Sequence, residues 1–133
     1  MKALVIALAF GVVLPASAIA QDAPPFMKAI TPQAAINSAW QEYMAVFNPN
    51  GALDAKTKEL IGLAVAAQIP CQYCIYAHTV AAKHAGATDD QIKEAIAMSG
   101  QVRKLSTELN GNQYDMTEFK KQIDAAFGGA KTE

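Results

Sequence analysis

The sequence has few of the residues that mark several common classes of protein. It contains only two cysteines and two histidines among 133 residues, so it cannot form a disulfide-rich scaffold. Lysine and arginine together number 11, against 12 aspartates and glutamates, and this balance excludes the strongly basic surface that nucleic-acid binding requires. No segment has the alternating apolar and polar pattern of a half-buried strand. We therefore expect neither a nucleic-acid-binding protein nor a β-sheet domain.

Apolar residues are concentrated at the N-terminus, where they make up 16 of the first 20 residues. Lys2 precedes an apolar run over residues 4–14, which is shorter than the ~20 residues that a membrane-spanning helix needs. Pro15 ends the run, and Ala18-Ile19-Ala20 has the small residues of a signal-peptidase site. The pattern predicts a cleaved signal peptide over residues 1–20 and a periplasmic or secreted protein. We expect no membrane association after cleavage.

The rest of the sequence predicts one all-α domain of ordinary size. Residues 21–31 contain two prolines and no periodicity, and we expect a flexible lead there, followed by the domain over residues 32–128. Five helices are expected, and their caps predict that they begin near Pro32, Asp54, Cys71, Thr88 and Asp115. The second of these helices is apolar on almost every side, as is usual for a helix that is buried or lies in an interface.

Residues 59–78 contain most of the groups that can carry out chemistry. Cys71 and Cys74 lie three residues apart at the start of the third helix, and His78 follows on the same helix face. A helix N-terminus stabilises a thiolate, which is the reactive form of cysteine, and a neighbouring imidazole can accept the thiol proton. Glu59, near the start of the preceding helix, is the carboxylate best placed to orient that imidazole.

The same residues also fit other roles. One alternative is a disulfide that serves only structure, although a bridge that closes so short a loop adds little stability in the chain-entropy model. Together with the histidine that follows them and with His84 or Glu59, they also make a set of zinc ligands. Haem attachment is disfavoured because Ile75, rather than histidine, follows Cys74. A thioredoxin-like domain is disfavoured because the sequence has no βαβ pattern. We expect neither a metal nor a cofactor.

The spacing of these residues resembles that of the alkylhydroperoxidase D-like proteins of the carboxymuconolactone decarboxylase superfamily. Glu59, the Cys71-x-x-Cys74 pair and His78 carry the resemblance, which extends over residues 53–100. It implies an all-α fold, in which a helical array surrounds a central helical hairpin that bears the cysteines. It also implies a homo-oligomer of three or six subunits. Tyr73 is a departure, because the best-studied members have a histidine directly before the second cysteine.

The resemblance further implies a thiol-dependent peroxidase. In such an enzyme Cys74 attacks a small hydroperoxide and becomes a sulfenic acid, and Cys71 condenses with it to form a disulfide. His78 is the base for Cys74, and Glu59 orients His78. A thiol or dithiol reductant, which the sequence does not identify, restores the pair. The alternatives are a general thiol–disulfide oxidoreductase and a carboxymuconolactone decarboxylase-like protein of other activity.

Overall fold

The computed structural model describes residues 22–128, and this part of the chain is helical without a strand. The elements are α1 (Pro25–Ile30), a 3₁₀ turn (Gln33–Ala35), α2 (Ile36–Val46), α3 (Ala55–Gln68), α4 (Gln72–His84), α5 (Asp89–Gly111) and α6 (Met116–Ala126). The all-α prediction is therefore confirmed. The expected signal peptide, residues 1–20, lies outside the described residues. No helix within them combines the length and hydropathy needed to cross a bilayer.

Backbone contacts divide the chain into two units, the first of which ends at Glu42. In this first unit the structure differs from the irregular lead expected over residues 21–31, because α1 lies within it. Pro25 occupies the first position of α1, where the missing N–H is not needed for a helical hydrogen bond. An ion pair of 3.2 Å joins Lys28 Nζ to the Asp22 carboxylate beside this helix. The described range therefore has one α-helix more than the five expected.

Three helices of the second unit begin at the side-chain caps that the sequence predicts. Asp54 accepts a hydrogen bond of 2.9 Å from the backbone N–H of Thr57, at the start of α3. Thr88 and Gln91 form a reciprocal capping box at the start of α5. Asp115 accepts a bond of 2.7 Å from a backbone N–H in the first turn of α6. These bonds satisfy backbone donors that a helix N-terminus leaves unpaired.

The centre of the second unit is the α3–α4 helical hairpin, against which α5 packs. Its core contains Leu63 and Ala82, both 0% exposed, and Ile92, which is 8% exposed. Gly86 closes α4 with φ +84°, a left-handed conformation that costs glycine little because it has no Cβ. The central hairpin that the family resemblance implies is thus present, and it brings the start of α3 beside the middle of α4.

A second set of apolar side chains does not pack within the described chain. The helical spacing of Ala95, Met98, Val102, Leu105 and Leu109 predicts an apolar stripe on α5. This stripe is largely exposed, and the α5 residues that are buried are Ile92 and Ser99. On α3, the side that faces away from the hairpin is also exposed. We give the name α3–α5 apolar face to five exposed apolar residues of α3, its C-cap position and α5, namely Ile61, Val65, Ile69, Met98 and Val102. The sequence predicts that so apolar a helix is buried or lies in an interface; in the single chain Leu63 and Ala66 of α3 are buried, whereas Ile61 and Val65 are exposed.

Candidate active site

The two cysteines lie at the N-terminus of α4 and are joined by a disulfide, with their Cα atoms 5.3 Å apart. Cys71 is the N-cap residue, and its sulfur accepts a hydrogen bond of 3.3 Å from the backbone N–H of Cys74. The Cys71 N–H in turn donates to the carbonyl oxygen of Ala66 in α3, at 3.1 Å. Both cysteines are partly buried. The pair is therefore fixed where α3 passes into α4, with the Cys74 N–H as a backbone donor to the sulfur of Cys71.

Glu59 and His78 meet across the hairpin. The carboxylate Oε2 of Glu59 lies 2.7 Å from Nδ1 of His78, and the two side chains are 16% and 18% exposed. A carboxylate only accepts hydrogen bonds, so Nδ1 carries the proton in this pair. In the neutral imidazole Nε2 is then left unprotonated, and it can accept a proton from another group. The structure thus brings together the carboxylate and imidazole that the sequence spacing singles out.

The two faces of α4 differ in exposure. Cys74 and His78 are partly buried, one turn apart on the side of α4 that packs within the hairpin. Tyr73 and Tyr76 project from the other side and are 89% and 75% exposed. Tyr73, which replaces the histidine of the best-studied relatives, is therefore directed away from the buried face that carries the Glu59–His78 pair.

A column of stacked aromatic rings lies against the imidazole. The Phe47 ring is stacked on the His78 ring at a centroid distance of 5.7 Å and an interplanar angle of 20°. Tyr43 is stacked on Phe47 in turn, at 4.5 Å. Burial, and to a smaller extent the negative charge of Glu59, raise the pKa of the Tyr43 hydroxyl. In the sequence these rings are only part of an apolar stripe at helical spacing, which consists of Ile36, Trp40, Tyr43, Met44 and Phe47. Sequence reasoning therefore missed their place beside the candidate site.

Gly62 is a further residue of the site that sequence reasoning missed. A Cβ atom built on Gly62 would lie 2.7 to 2.9 Å from three atoms of the His78 ring, well inside van der Waals contact. The imidazole therefore occupies the space that any other residue's side chain would need. A signal for this role exists in the sequence, because an isolated glycine in an apolar helix often has a packing reason. Gly62 also follows Glu59 by three residues, which places both on one face of α3.

The metal-binding alternative finds no support in the described part of the chain. No group of three or more histidine, cysteine, aspartate or glutamate side chains within residues 22–128 is arranged to hold a metal ion. His84, one of the two additional ligands that the sequence offers, is exposed in the last turn of α4. Glu59, the other, is instead hydrogen-bonded to His78.

Two open grooves flank α3. One, of about 300 Å³, adjoins the candidate site, and Phe47 and Gly62 help to line it together with Val46, Leu53, Lys58 and Ile61. The other, of about 360 Å³, runs between α3 and α5 and is lined largely by the α3–α5 apolar face and by Gln68, Ser99 and Arg103. A chain of hydrogen bonds from Arg103 to Gln68 and from Gln68 to Ser99 spans this second groove.

The region that holds the candidate site matches a family model. The model of the carboxymuconolactone decarboxylase family matches residues 34–110, which include all of α3 and α4. The chain belongs to this family. Among solved structures, the carboxymuconolactone decarboxylase-like fold of this chain is similar to that of an alkylhydroperoxidase AhpD core from Rhodospirillum rubrum, with a TM-score of 0.59 and 32% sequence identity. The match covers 62% of this chain and 61% of the solved chain.

Two curated proteins are also similar in sequence to this chain. A protein of the cox locus of Paracoccus denitrificans is 38% identical over 80 residues, which make up 60% of this chain and 72% of that protein. A protein of Cupriavidus necator is 39% identical over 67 residues, or 50% of this chain and 59% of that protein. Both are named as uncharacterized. The predicted membership of the alkylhydroperoxidase D-like proteins of the carboxymuconolactone decarboxylase superfamily is thus confirmed.

Proposed function

We propose that this chain is an exported, thiol-dependent peroxidase that reduces small hydroperoxides through Cys71 and Cys74. The observation that carries the proposal is the 2.7 Å hydrogen bond between Glu59 and His78. It supplies an oriented imidazole one helical turn from Cys74, on the same partly buried side of α4. The similarity to an alkylhydroperoxidase core supports the same class of reaction.

In the proposed cycle the reduced pair is oxidised in two steps. His78 accepts the thiol proton of Cys74 at Nε2, and the thiolate attacks the distal oxygen of the hydroperoxide. The O–O bond breaks, Cys74 becomes a sulfenic acid, and the alkoxide takes a proton to leave as an alcohol. The Cys71 thiol then displaces hydroxide from the sulfenic acid, so that water leaves and the Cys71–Cys74 disulfide forms. The disulfide described above is the product of this half of the cycle.

A dithiol reductant closes the cycle by thiol–disulfide exchange. One of its thiolates attacks the Cys71–Cys74 bond to give a mixed disulfide, and its second thiol releases the reduced pair as the reductant itself becomes a disulfide. The hydrogen bond from the Cys74 N–H to the Cys71 sulfur would stabilise a leaving thiolate at Cys71. Two electrons thus pass from the dithiol to the hydroperoxide in each turnover.

Turnover of hydroperoxide with a synthetic dithiol tests the proposal. The parent protein, Cys74→Ser and Cys71→Ser are compared for loss of an organic hydroperoxide in the presence of the dithiol. We expect turnover in the parent and none in Cys74→Ser, whereas Cys71→Ser should turn over only as fast as the dithiol itself reduces the Cys74 sulfenic acid. In a single reaction without reductant, Cys71→Ser should stop at a sulfenic acid that a dimedone-type probe labels at Cys74. Equal rates of hydroperoxide loss in the parent and Cys74→Ser would contradict the proposal.

A general thiol–disulfide oxidoreductase is the second candidate, and the exposure of the α4 N-terminus favours it. Gln72 and Tyr73, the two residues between the cysteines, are both exposed, so a protein partner can approach this turn. Cys71→Ser and Cys74→Ser are each used to trap mixed disulfides with exported proteins. Stable mixed disulfides together with no consumption of hydroperoxide would select this candidate over the peroxidase.

We also propose that the protein works as a homo-oligomer of three or six subunits and that the signal peptide directs it to the periplasm or the medium. The α3–α5 apolar face supports the proposed oligomer, because a second copy of the chain would remove this face from water.

The pattern of residues 1–20 supports the proposed export. Mass spectrometry of the protein from fractionated cells tests export, and a cytoplasmic protein that keeps residues 1–20 would contradict it.

A further inference from the structure

The His78 imidazole is confined on more sides than its hydrogen bond requires. Glu59 holds one ring nitrogen, Nδ1, at 2.7 Å. The backbone of Gly62 approaches so closely that its missing Cβ would meet Cε1, Nδ1 and Nε2 of the ring. Phe47 covers a ring face in a stacked arrangement. Two groups from α3 and one from the end of α2 therefore bound a single side chain.

Gly62 is a less favourable residue than alanine in the interior of α3, and the position of the His78 imidazole explains why a glycine is there. Glycine in a helix interior is less favourable than alanine because its backbone loses more conformational freedom on folding. Gly100 also lies in a helix interior, but nothing is within 4 Å of the position of its missing Cβ. At Gly62 all three of the nearest atoms belong to His78. The close contact at Gly62 is therefore specific to the imidazole and is not a general property of the helical glycines of this chain.

The phenylalanine is itself held in place. It follows the last residue of α2, and its backbone N–H donates to the carbonyl oxygen of Tyr43 at 2.9 Å. The Tyr43 ring stacks on Phe47 at 4.5 Å, so the aromatic plane that contacts the imidazole is supported from its own chain segment. A stacked aromatic plane limits the tilt of the ring it covers.

We infer that Gly62 and Phe47 are positioning residues, which together form a slot that keeps Nδ1 of His78 directed at Glu59. An imidazole without such a slot rotates about its Cβ–Cγ bond and presents a carbon atom to the carboxylate part of the time. The slot excludes those orientations by contact alone, since neither residue offers a side-chain hydrogen bond. Its effect on the geometry of His78 stands by itself, and its effect on catalysis rests on the proposed function.

Gly62→Ala and Gly100→Ala make a matched pair of variants for this test. Both replace a helical glycine by the best helix former, but only the first places a methyl group against the imidazole. The N–H proton of a hydrogen-bonded imidazole gives a downfield NMR signal, and His84→Gln assigns that signal to His78. We expect the signal to persist in Gly100→Ala and to be lost in Gly62→Ala. Retention in Gly62→Ala would overturn the inference.

A double-variant cycle covers the case in which Gly62→Ala folds poorly. In a His78→Ala background the imidazole is gone, so the methyl group added at position 62 meets an empty space. Gly62→Ala should lower the urea midpoint of unfolding in the parent and leave it unchanged or raised in His78→Ala, as Gly100→Ala does in both. An equal loss in the two backgrounds would show that the glycine serves something other than the imidazole.

Phe47→Leu tests the other wall, because leucine keeps the apolar volume and lacks the aromatic plane. We expect a weakened His78 signal, and recovery of the signal in Phe47→Tyr. If the proposed function holds, the rate of hydroperoxide reduction falls in Gly62→Ala by about tenfold or more, a part of the roughly 10²–10⁴-fold that a general base supplies, and is unchanged in Gly100→Ala. If all variants and the parent lack peroxidase activity, the proposed function fails. The NMR signal of the His78 N–H proton still tests whether Gly62 and Phe47 position the imidazole.

Discussion

At the scale of single residues, the charge of Glu59 is separable from its hydrogen bond. A glutamine in its place can still accept the Nδ1–H bond of His78, but it cannot stabilise the positive imidazolium that forms when Nε2 takes a proton. The carboxylate is only 16% exposed, so solvent screens its charge less than it would at the surface.

We therefore expect Glu59→Gln to fold normally and to slow the oxidation of Cys74 by a hydroperoxide about tenfold or more, since the variant impairs the general base. Stopped-flow measurement of the loss of free thiol after mixing with the hydroperoxide checks this. Glu94→Gln, at an exposed carboxylate of α5, is the control and should match the parent. A parent-like rate in Glu59→Gln would remove the carboxylate from the relay.

Tyr73 gives the opposite expectation, although it lies between the two cysteines. Its side chain is 89% exposed and is directed away from the buried side of α4, so it has no route to the Glu59–His78 pair. We expect Tyr73→Phe to change the rate of thiol oxidation by less than about twofold, because an exposed side chain that contacts neither Glu59 nor His78 can be replaced with little effect on the pair. The same stopped-flow assay checks it. A large loss would mean that the tyrosine hydroxyl takes part in proton transfer.

At the scale of helices, the parts of the fold that the sequence predicts are those with local causes. The capping box of Thr88 and Gln91 lies within four consecutive residues, and its pattern is visible without knowing what the helix packs against. The contact between Gly62 and His78 joins two helices, so no local pattern contains it. Phe47 belongs to a stripe whose period is correct, but periodicity cannot say which neighbour a stripe will meet.

Two expectations differ from the structure, one about the lead and one about the apolar stripe of α5, and each difference has a physical reason. The prolines at positions 24 and 25 discouraged a helix over the lead, yet proline is tolerated at a helix start, and α1 begins there. The predicted apolar stripe of α5 is present in the sequence, but Met98, Val102 and Leu105 are exposed. Apolar spacing indicates a face that avoids water, and it does not specify whether that face packs within the chain or against another copy.

Helices α4 and α5 are linked by a surface ion pair that makes stability depend on pH. Lys83 Nζ lies 2.8 Å from the Asp89 carboxylate, and its hydrogen bond and charge lower the pKa of Asp89 below the ordinary value. Because the pKa is lower in the folded protein, the stabilising contribution is present above the unfolded pKa and is lost as the pH falls through the folded value.

Asp89→Asn should therefore lower the urea midpoint of unfolding at neutral pH. Its difference from the parent should shrink as the pH falls below about 4, the usual range of an aspartate. Urea titrations at several pH values measure this. Asp90→Asn is the control, because Asp90 is 93% exposed and pairs with Lys93 of the same helix; it should have the smaller effect. A difference for Asp89→Asn that is independent of pH would exclude the ion pair as its cause.

At the scale of the whole molecule, the α3–α5 apolar face is the feature that the single chain leaves unexplained. Met98 is 63% exposed and Val102 is 58% exposed, and they lie beside the groove of about 360 Å³ between the two helices. Contiguous apolar surface of this kind is typical of protein–protein interfaces. Removing it from water by association is worth about 25 cal/mol for each Å² of apolar area.

We expect the parent protein to run as a trimer or hexamer in size-exclusion chromatography with light scattering, and Val102→Glu to shift it toward the single chain. An unpaired carboxylate buried in an interface carries a penalty of several kcal/mol. Thr107→Glu introduces the same side chain and the same charge at an exposed position on another side of α5, and it should leave the oligomer intact. A monomeric parent would contradict the proposed assembly.

The candidate site also has a consequence for the order in which the protein folds. Its residues, from Tyr43 to His78, lie on consecutive elements, and the Glu59–His78 bond spans only 19 positions along the chain. Contacts of short sequence separation lose little loop-closure entropy, and proteins dominated by them fold quickly. The slot, the carboxylate and the cysteine pair all belong to the end of α2 and the α3–α4 hairpin. The residues of the site can thus come together during folding before α6 has left the ribosome.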